Sequence, residues 1–381
     1  MKEILRTWQR EYGIIFTDGG LILIFFAAIL VYPLFTTVPY SPEILREIPV
    51  AVVDQDHSRL SRQLVRMTDA TESMRVTSTP LNLAEARRQL LAKETCGIIV
   101  VPHDFQRSIL RNKRATVAVF SDATYFLIYR QILTGMVGIG QSLSATIEIE
   151  RMGMAGLPYL RAQSAREPLS LKSIPLFNPS GGYASYLMPA VLMVLLQQTL
   201  LIGIGMLRGT ASEMPRQAMP RRGNVIGTVL GRTGAYMSIY VVHAVYFFLI
   251  LFRFYRYPQH ADVMTLGMIL LPFLLAAVFL GQAVAELFLR RELSLLAVAP
   301  LSILALFIAG FSWPAESIPS WLRTLSFLLP STSGIDGFFR VNLMGADLRD
   351  IAGNLGILWG LAAGYFALAC LSLRYGIKRR S

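Results

Sequence analysis

Residues 130–148 read RQILTGMVGIGQSLSATIE, and whether this run crosses a bilayer sets the sidedness of everything after it. Its centre, Ile132 to Ile147, is apolar, but it is only about 16 residues long where a spanning helix needs about 20. It also carries Gln131, Thr134, Gln141, Ser142, Ser144 and Thr146 between Arg130 and Glu148. We read it as the middle of a long amphipathic helix, Ala123 to Ala155, lying on a module outside the bilayer or on a partner copy of it.

The flanking sequence is of a different kind. The chain of 381 residues is 54% hydrophobic and 16% charged, with mean hydropathy +0.49, which makes it an integral membrane protein. Six runs have spanning length: Leu21 to Val38, Tyr183 to Leu207, Val225 to Phe252, Val263 to Leu289, Leu293 to Phe311 and Ile351 to Leu373. The first follows basic residues as a signal peptide would, but no small-residue cleavage pattern follows Tyr32-Pro33-Leu34-Phe35, so it is an uncleaved anchor.

Lys and Arg in the short connections set the orientation. With a cytoplasmic N-terminus, the inner segments hold Lys2, Arg6 and Arg10, then Arg208, Arg216, Arg221, Arg222 and Arg232, then Arg290 and Arg291, and finally Arg374, Lys378, Arg379 and Arg380. The short outer connections hold Arg253, Arg256, Arg323, Arg340 and Arg349. Both termini are therefore expected in the cytoplasm, with the chain in the cell inner membrane. A seventh span at 130–148 would instead put the arginine-rich 208–232 loop outside. The same bias, with anionic lipid, accounts for much of the formal +12 charge and argues against nucleic acid.

From Ile48 the pattern alternates between β-rich and helical stretches. Ile48 to Val53 reads as a strand covered on both faces, Ser58 as the cap of a helix carrying Leu60, Leu64, Val65 and Met67, and Met74 to Thr79 as a weaker strand. A helix from Asn82 to Glu94, a strand from Gly97 to Val101, a short helix from Asp104 to Arg111 and a strand from Thr116 to Phe120 complete a βαβ-type module. Cys96 is expected as a buried core thiol, and with Cys370 in the last span it cannot form an internal disulfide. Asp54, Asp56, His57 and Ser58 invite a metal or hydrolase reading. They lack the ligand spacing of a calcium loop and a separate orienting acid, so a capped strand-to-helix turn is the plainer reading. No catalytic residue and no metal site is expected.

The residues expected inside the membrane are few. Gln197, Gln198 and His243 lie mid-span, where polar groups line a path or bond to a neighbouring helix. Gly356, Gly360 and Gly364, and likewise Gly227 and Gly231, recur at four-residue spacing and permit close backbone approach, whether within the chain or to another subunit. Glu286 is a charge near the inner interface. In residues 1–16, Ile4, Leu5, Trp8, Tyr12, Ile15 and Phe16 share a broad face, the pattern of a helix lying in the membrane plane. Between Gly310 and Gly345, Trp313 and Trp321 suit a membrane surface, while Pro314, Pro319 and Pro330 break the chain into short helical pieces of an outer hairpin.

The order Gly310, Pro314, Ile318-Pro319, Trp321, Pro330, Ser331-Thr332 and Gly345 before a final span resembles the type-2 ABC exporter permeases, in the drug-exporter-like branch with a long first outer loop. VAVVDQDHSRLSRQL resembles that branch's opening strand and helix, and SDATYFLIYRQ the start of its long helix. The resemblance implies an interfacial helix over 1–18, a first span over 19–38, an extracytoplasmic α/β domain over 39–180, and spans two to six over 181–381 with the hairpin near 312–345. It implies a non-enzymatic permease that binds no cofactor itself, ATP and Mg residing on cytoplasmic ABC ATPase subunits; no G-x-x-x-x-G-K-[ST] occurs in the sequence. A second permease copy or paralogue and a periplasmic membrane-fusion adaptor are the other partners it implies, with a hydrophobic or amphiphilic cargo. Coupling to the ATPase falls by resemblance on Trp8 and Arg10 of the interfacial helix and on Arg208, Gly209, Thr210 and Glu213. The last four match a charged R-E-x-G-T-x-E-like segment except that its acid before Gly is missing. The alternative from another class is a non-transporting receptor or scaffold with a ligand-binding outer domain; six spans with buried polar residues exceed what anchoring requires.

Overall fold

The computed structural model describes residues 1–40, 42–166, 174–179, 181–213, 224–288, 290–311 and 313–380. The chain divides into two compact units, one of Met1–Glu43 with Pro175–Ser381, the other of Ile44–Ile174.

The first unit is helical. The N-terminal helix Lys2–Thr17 stops at Asp18, whose Oδ1 accepts from the amides of Gly20 and Leu21 at 2.8 and 3.1 Å and so caps the next helix at once. That helix, Gly19–Tyr40, contains a π turn at Leu23–Ala27. Tyr183–Glu213, Val225–Tyr255, Val263–Ala285, Arg291–Ile308 and Ala352–Arg380 follow. Among the described residues, seven helices are long and apolar enough to cross a membrane: these six and Phe126–Met154 of the second unit. The protein is therefore a helical membrane protein with about seven apolar candidate spans. The Tyr183 helix runs through the middle of its unit, with 89% of its apolar window buried against 17% for the Ala352 helix.

After Arg291–Ile308 the backbone turns at Gly310 (φ 78°), then forms the short turn Ala315–Ser317 and the helices Ser320–Ser326 and Pro330–Asn342, ending at Gly345 (φ 66°). Pro314 and Pro319 directly precede the first two pieces, and Pro330 occupies the first position of the third, where its missing N–H costs nothing. Trp313 and Trp321 are exposed.

The second unit is a four-stranded sheet in the order β2-β1-β3-β4, with β1 at Ile48–Asp54, β2 at Met74–Ser78, β3 at Gly97–Val101 and β4 at Ala118–Ser121. β1 pairs in parallel with both β2 and β3, and β3 is antiparallel to β4. The helix Phe105–Leu110 between β3 and β4 has 6 residues, about 9 Å, too short to return along a strand of about 17 Å. The last strand therefore re-enters from the end where β3 stopped instead of extending the parallel pattern.

Both sheet faces are covered, which is why VAVV does not alternate. Val50, Val52, Ile99 and Val101 pack with Leu64 of the helix Arg59–Asp69 and with Ile132, Met136, Ile139 and Leu143 of the helix Phe126–Met154. Ala51, Val53 and Ile98 pack on the other side with Ala86 of the helix Leu83–Leu91. Ser58 Oγ and Asn82 Oδ1 cap their helices through the amides of Ser61 and Glu85 at 3.1 and 2.9 Å. Cys96 is half-buried at this sheet and not enclosed in the core as expected, because it sits at the rim beside β4; burial and then the Asp122 carboxylate raise its thiol pKa.

Candidate functional site

Three acid–base pairs gather where the Tyr183 and Val263 helices end and the Val225 and Arg291 helices begin. Glu11 accepts from Arg232 Nε at 3.2 Å through one carboxylate oxygen and from the Tyr236 hydroxyl at 2.7 Å through the other. Arg208 donates to Glu286 at 2.6 Å. Arg291 grips Asp18 through two nitrogens at 3.1 and 3.0 Å. The first two pairs are deeply placed, with side-chain exposures of 9% for Glu11 and 8% for Glu286. Removing one partner of such a pair strands the other in a poorly solvated place, a loss of about 3–5 kcal/mol. At Asp18, partial burial raises the carboxyl pKa, but the Arg291 hydrogen bond and charge with the amides of Leu21 and Gly20 outweigh it and hold it below the usual range.

Glycine makes this end possible. A Cβ at Gly231 would lie 2.6 Å from the Ile4 carbonyl and 2.7 Å from Thr7 Cβ, and one at Gly234 would lie 3.2 Å from Trp8, so the N-terminal helix rests directly on the Val225 helix. A Cβ at Gly209 would meet the Arg290–Arg291 backbone at 2.4 Å. Gly20 leaves room for the Arg291 guanidinium, which would otherwise be 2.4 Å from its Cβ.

Trp8 thus faces inward, its ring tilted against that of Tyr12 with centroids 4.7 Å apart; its place is in holding the helix down. Tyr12 also bonds Ser238 at 2.6 Å. The broad apolar face expected on residues 1–16 divides: Ile15 is buried, while Leu5 and Phe16 are more than half exposed. Arg10 lies on the exposed side of the same helix. Arg208 and Thr210 stand on the last turns of the Tyr183 helix with Gly209 between them, and Arg208 meets Glu286 of the Val263 helix. Glu213 ends that helix, but its side chain, like residues 214–223 with Arg216, Arg221 and Arg222, lies outside the described residues.

Glu11 was absent from the sequence reading, yet it carried a signal. With Trp8, Tyr12 and Ile15 it completes an i, i+3, i+4, i+7 face, and an acid inside that face needs a partner.

Deeper in the unit, His243 donates from Nε2 to the Phe25 carbonyl at 2.8 Å, within the π turn Leu23–Ala27. The helix Val225–Tyr255 has its own π turn, Tyr246–Leu251, and there Gln259 donates to the Phe248 carbonyl at 3.1 Å. In each case a side chain donates to a carbonyl inside a π turn. Gln197 Oε1 accepts from the Ser331 amide at 2.8 Å, so it caps the Pro330–Asn342 helix from the middle of the Tyr183 helix. Gln198 is buried beside it in sequence. His243 and Gln197 are brought to different neighbours, the Phe25 carbonyl and the Ser331 amide.

In the sheet unit, Asp54 accepts from the amides of Asp56 and His57, each at 3.0 Å, and from Ser61 Oγ at 2.7 Å, while Asp56 accepts from the Gln106 amide at 3.0 Å. This is a braced turn. Burial opposes ionisation of Asp56, but the Ser58 hydroxyl, the Gln106 and Phe105 amides and the His103 charge together outweigh it and lower its pKa. Among the described residues no group of three His, Cys, Asp or Glu is disposed to hold a metal. A 510 Å³ cavity lined by His260, Asp262, Thr265, Asp347 and Arg349 opens at the start of the Val263 helix and was not foreseen, since its residues come from two distant loops.

The profile of the ABC-2 family transporter proteins matches residues 19–371. The linearmycin resistance permease protein LnrN of Bacillus subtilis (strain 168) is 24% identical over 398 aligned positions, which cover 98% of this chain and 100% of the relative.

Proposed function

The chain belongs to the ABC-2 family of transporter proteins and is an ABC transporter permease, and on that premise we propose that it is one membrane half of an ATP-driven exporter. An ABC permease of this family works with an ABC ATPase. We place that ATPase at the end of the helical unit that carries the three ion pairs, against the N-terminal helix and the segment from Arg208 to Arg232. The observation that carries this is the concentration of acid–base pairs there: Glu11 ties the N-terminal helix to the Val225 helix, Asp18 at its end ties it to the Arg291 helix, and Arg208 with Glu286 joins the Tyr183 and Val263 helices. An equilibrium shifts only if the partner contacts its two states differently, and a clamp of buried pairs has two discrete arrangements to offer, closed or broken.

In this reading six helices span the inner membrane, both termini are cytoplasmic, and Ile44–Ile174 is extracytoplasmic. The seventh apolar helix, Phe126–Met154, is taken out of the span count because its buried side packs on the sheet through Ile132, Met136, Ile139 and Leu143. Trp8, Arg10, Arg208, Gly209, Thr210 and Glu213 serve coupling, Trp8 and Gly209 by positioning. Gln197, Gln198 and His243 flank the route or hold its walls, and the hairpin of Trp313, Pro314, Pro319, Trp321 and Pro330 closes its outer end. The name of the resistance permease relative supports outward transport, and the scarcity of fixed charge at depth favours a hydrophobic or amphiphilic cargo. A second permease copy completes the path, and the extracytoplasmic unit gates it or docks an adaptor.

Co-expression with its ATPase in cells lacking other exporters tests this. ATP-dependent extrusion of an amphiphilic dye, lost when the ATPase's catalytic acid is removed, is the expected result; dye retention equal to empty-vector cells across a panel of amphiphiles overturns it.

A further inference from the structure

The helix Phe126–Met154 buries one side on its sheet and leaves a straight apolar stripe on another. Phe126, Leu133 and Val137 are 67%, 43% and 51% exposed. At helical spacing the stripe runs Phe126, Arg130, Leu133, Val137, Gly140, Ser144, Glu148. Gly138 and Gly140, near its centre, have nothing within 4 Å of where a Cβ would stand.

The charges on this stripe are antisymmetric. Arg130 and Glu148 are both exposed, no charged residue lies between them, and residue 139 is midway. A two-fold axis near residue 139 would set two such helices antiparallel, bring Arg130 of each toward Glu148 of the other, and cross them where side chains are smallest. Isologous contacts require this self-complementarity, and small residues at the crossing permit the close end of the usual 8–10 Å helix separation. A membrane surface is a poorer match, since interfacial helices carry Lys and Arg along their polar face and none lies within 131–147.

We propose that this stripe is an interface between two copies of this chain, formed by antiparallel pairing of their Phe126–Met154 helices about residue 139. It rests on reading the helix as outside the bilayer, so the test separates the two.

In a full-length background with Cys96→Ala and Cys370→Ala, expressed in membranes, single cysteines are placed at Val137 and at Thr146, which lies about half a turn away by the 3.6-residue period. A bis-maleimide should join Val137→Cys into a covalent dimer, since pairing about residue 139 offsets the two positions by four residues, about 6 Å along the axis, and should leave Thr146→Cys monomeric. A short bis-maleimide should join chains carrying Arg130→Cys only when chains carrying Glu148→Cys are co-expressed. The charge reversal Arg130→Glu should reduce Val137→Cys dimer yield at least fivefold, and adding Glu148→Arg should restore it. A membrane-impermeant maleimide that labels Thr146→Cys in intact spheroplasts, with no Val137→Cys dimer, overturns the pairing alone. Absence of that labelling overturns the extramembrane placement, and the pairing with it.

Discussion

Gly227, Gly231 and Gly234 on the Val225 helix and Gly356, Gly360 and Gly364 on the Ala352 helix look alike in sequence and meet opposite surroundings. The first set is filled by the N-terminal helix, whose Glu3, Ile4, Thr7 and Trp8 occupy the space where side chains would be. The second faces nothing within 4 Å. Small residues at three- or four-residue spacing therefore state that a backbone can approach, and a neighbouring charge decides what does. The filled stripe lies beside Arg232, which draws Glu11 of the N-terminal helix onto it, whereas the open stripe has no charged residue between Gly353 and Leu373.

Gly231→Leu should break the filled stripe most severely. Overpacking costs about 1–3 kcal/mol, and lifting the N-terminal helix separates Glu11 from Arg232 for about 3 kcal/mol more. Expected outcomes are loss of export and a thermal midpoint lower by about 10 °C in detergent. Next comes Arg232→Met, which leaves the Glu11 carboxylate buried with only Tyr236 as donor. It should lose about 3 kcal/mol, and the double variant with Glu11→Met should regain most of it, since an apolar pair is tolerated where a half-broken ionic one is not. Thermal shift of all three proteins in nanodiscs checks this, and an additive double variant would show that the pair is not what holds the helix.

Asp56 offers a contrast in a half-buried setting at the surface. Its pKa is lowered in the folded unit, so its contribution is present above the unfolded value of about 3.9 and is lost as pH falls through the folded value. Solvent screening keeps it under about 1 kcal/mol. Hydrogen exchange of Ile48–Asp54 should lose protection on acidification below about pH 4, in the range of that reference value, with a smaller acid dependence in Asp56→Asn. Smallest of all, Gly360→Leu should change folding stability by less than about 0.5 kcal/mol, because the added side chain meets open space. A drop like that of Gly231→Leu would mean the open stripe is filled by another subunit.

Much of this was legible in sequence because it follows from local chemistry. The strand Ile48–Asp54 reads as covered on both faces since it does not alternate, Ser58 and Asn82 announce their helices as caps, and the polar residues of 130–148 mark a helix with one buried side. The positions of Gly310, Pro314, Pro319 and Pro330 likewise fix where short pieces begin. What escaped was set by partners distant in sequence. Nothing adjacent tells Glu11 that Arg232 awaits it, or Arg208 that its acid is Glu286. His243 meets the Phe25 carbonyl inside a π turn of the first long helix, and a run of Leu, Ile and Phe gives no warning of that turn.

ATP hydrolysis by the partner ATPase, reconstituted with wild-type or Glu286→Gln permease at matched occupancy of the complex, is the most direct measurement of whether the ion-pair end transmits the ATPase cycle. The wild type should stimulate hydrolysis several-fold, and the variant, with Arg208 released from its carboxylate, should assemble but stimulate little. Equal stimulation by both would contradict the assignment of coupling to this end.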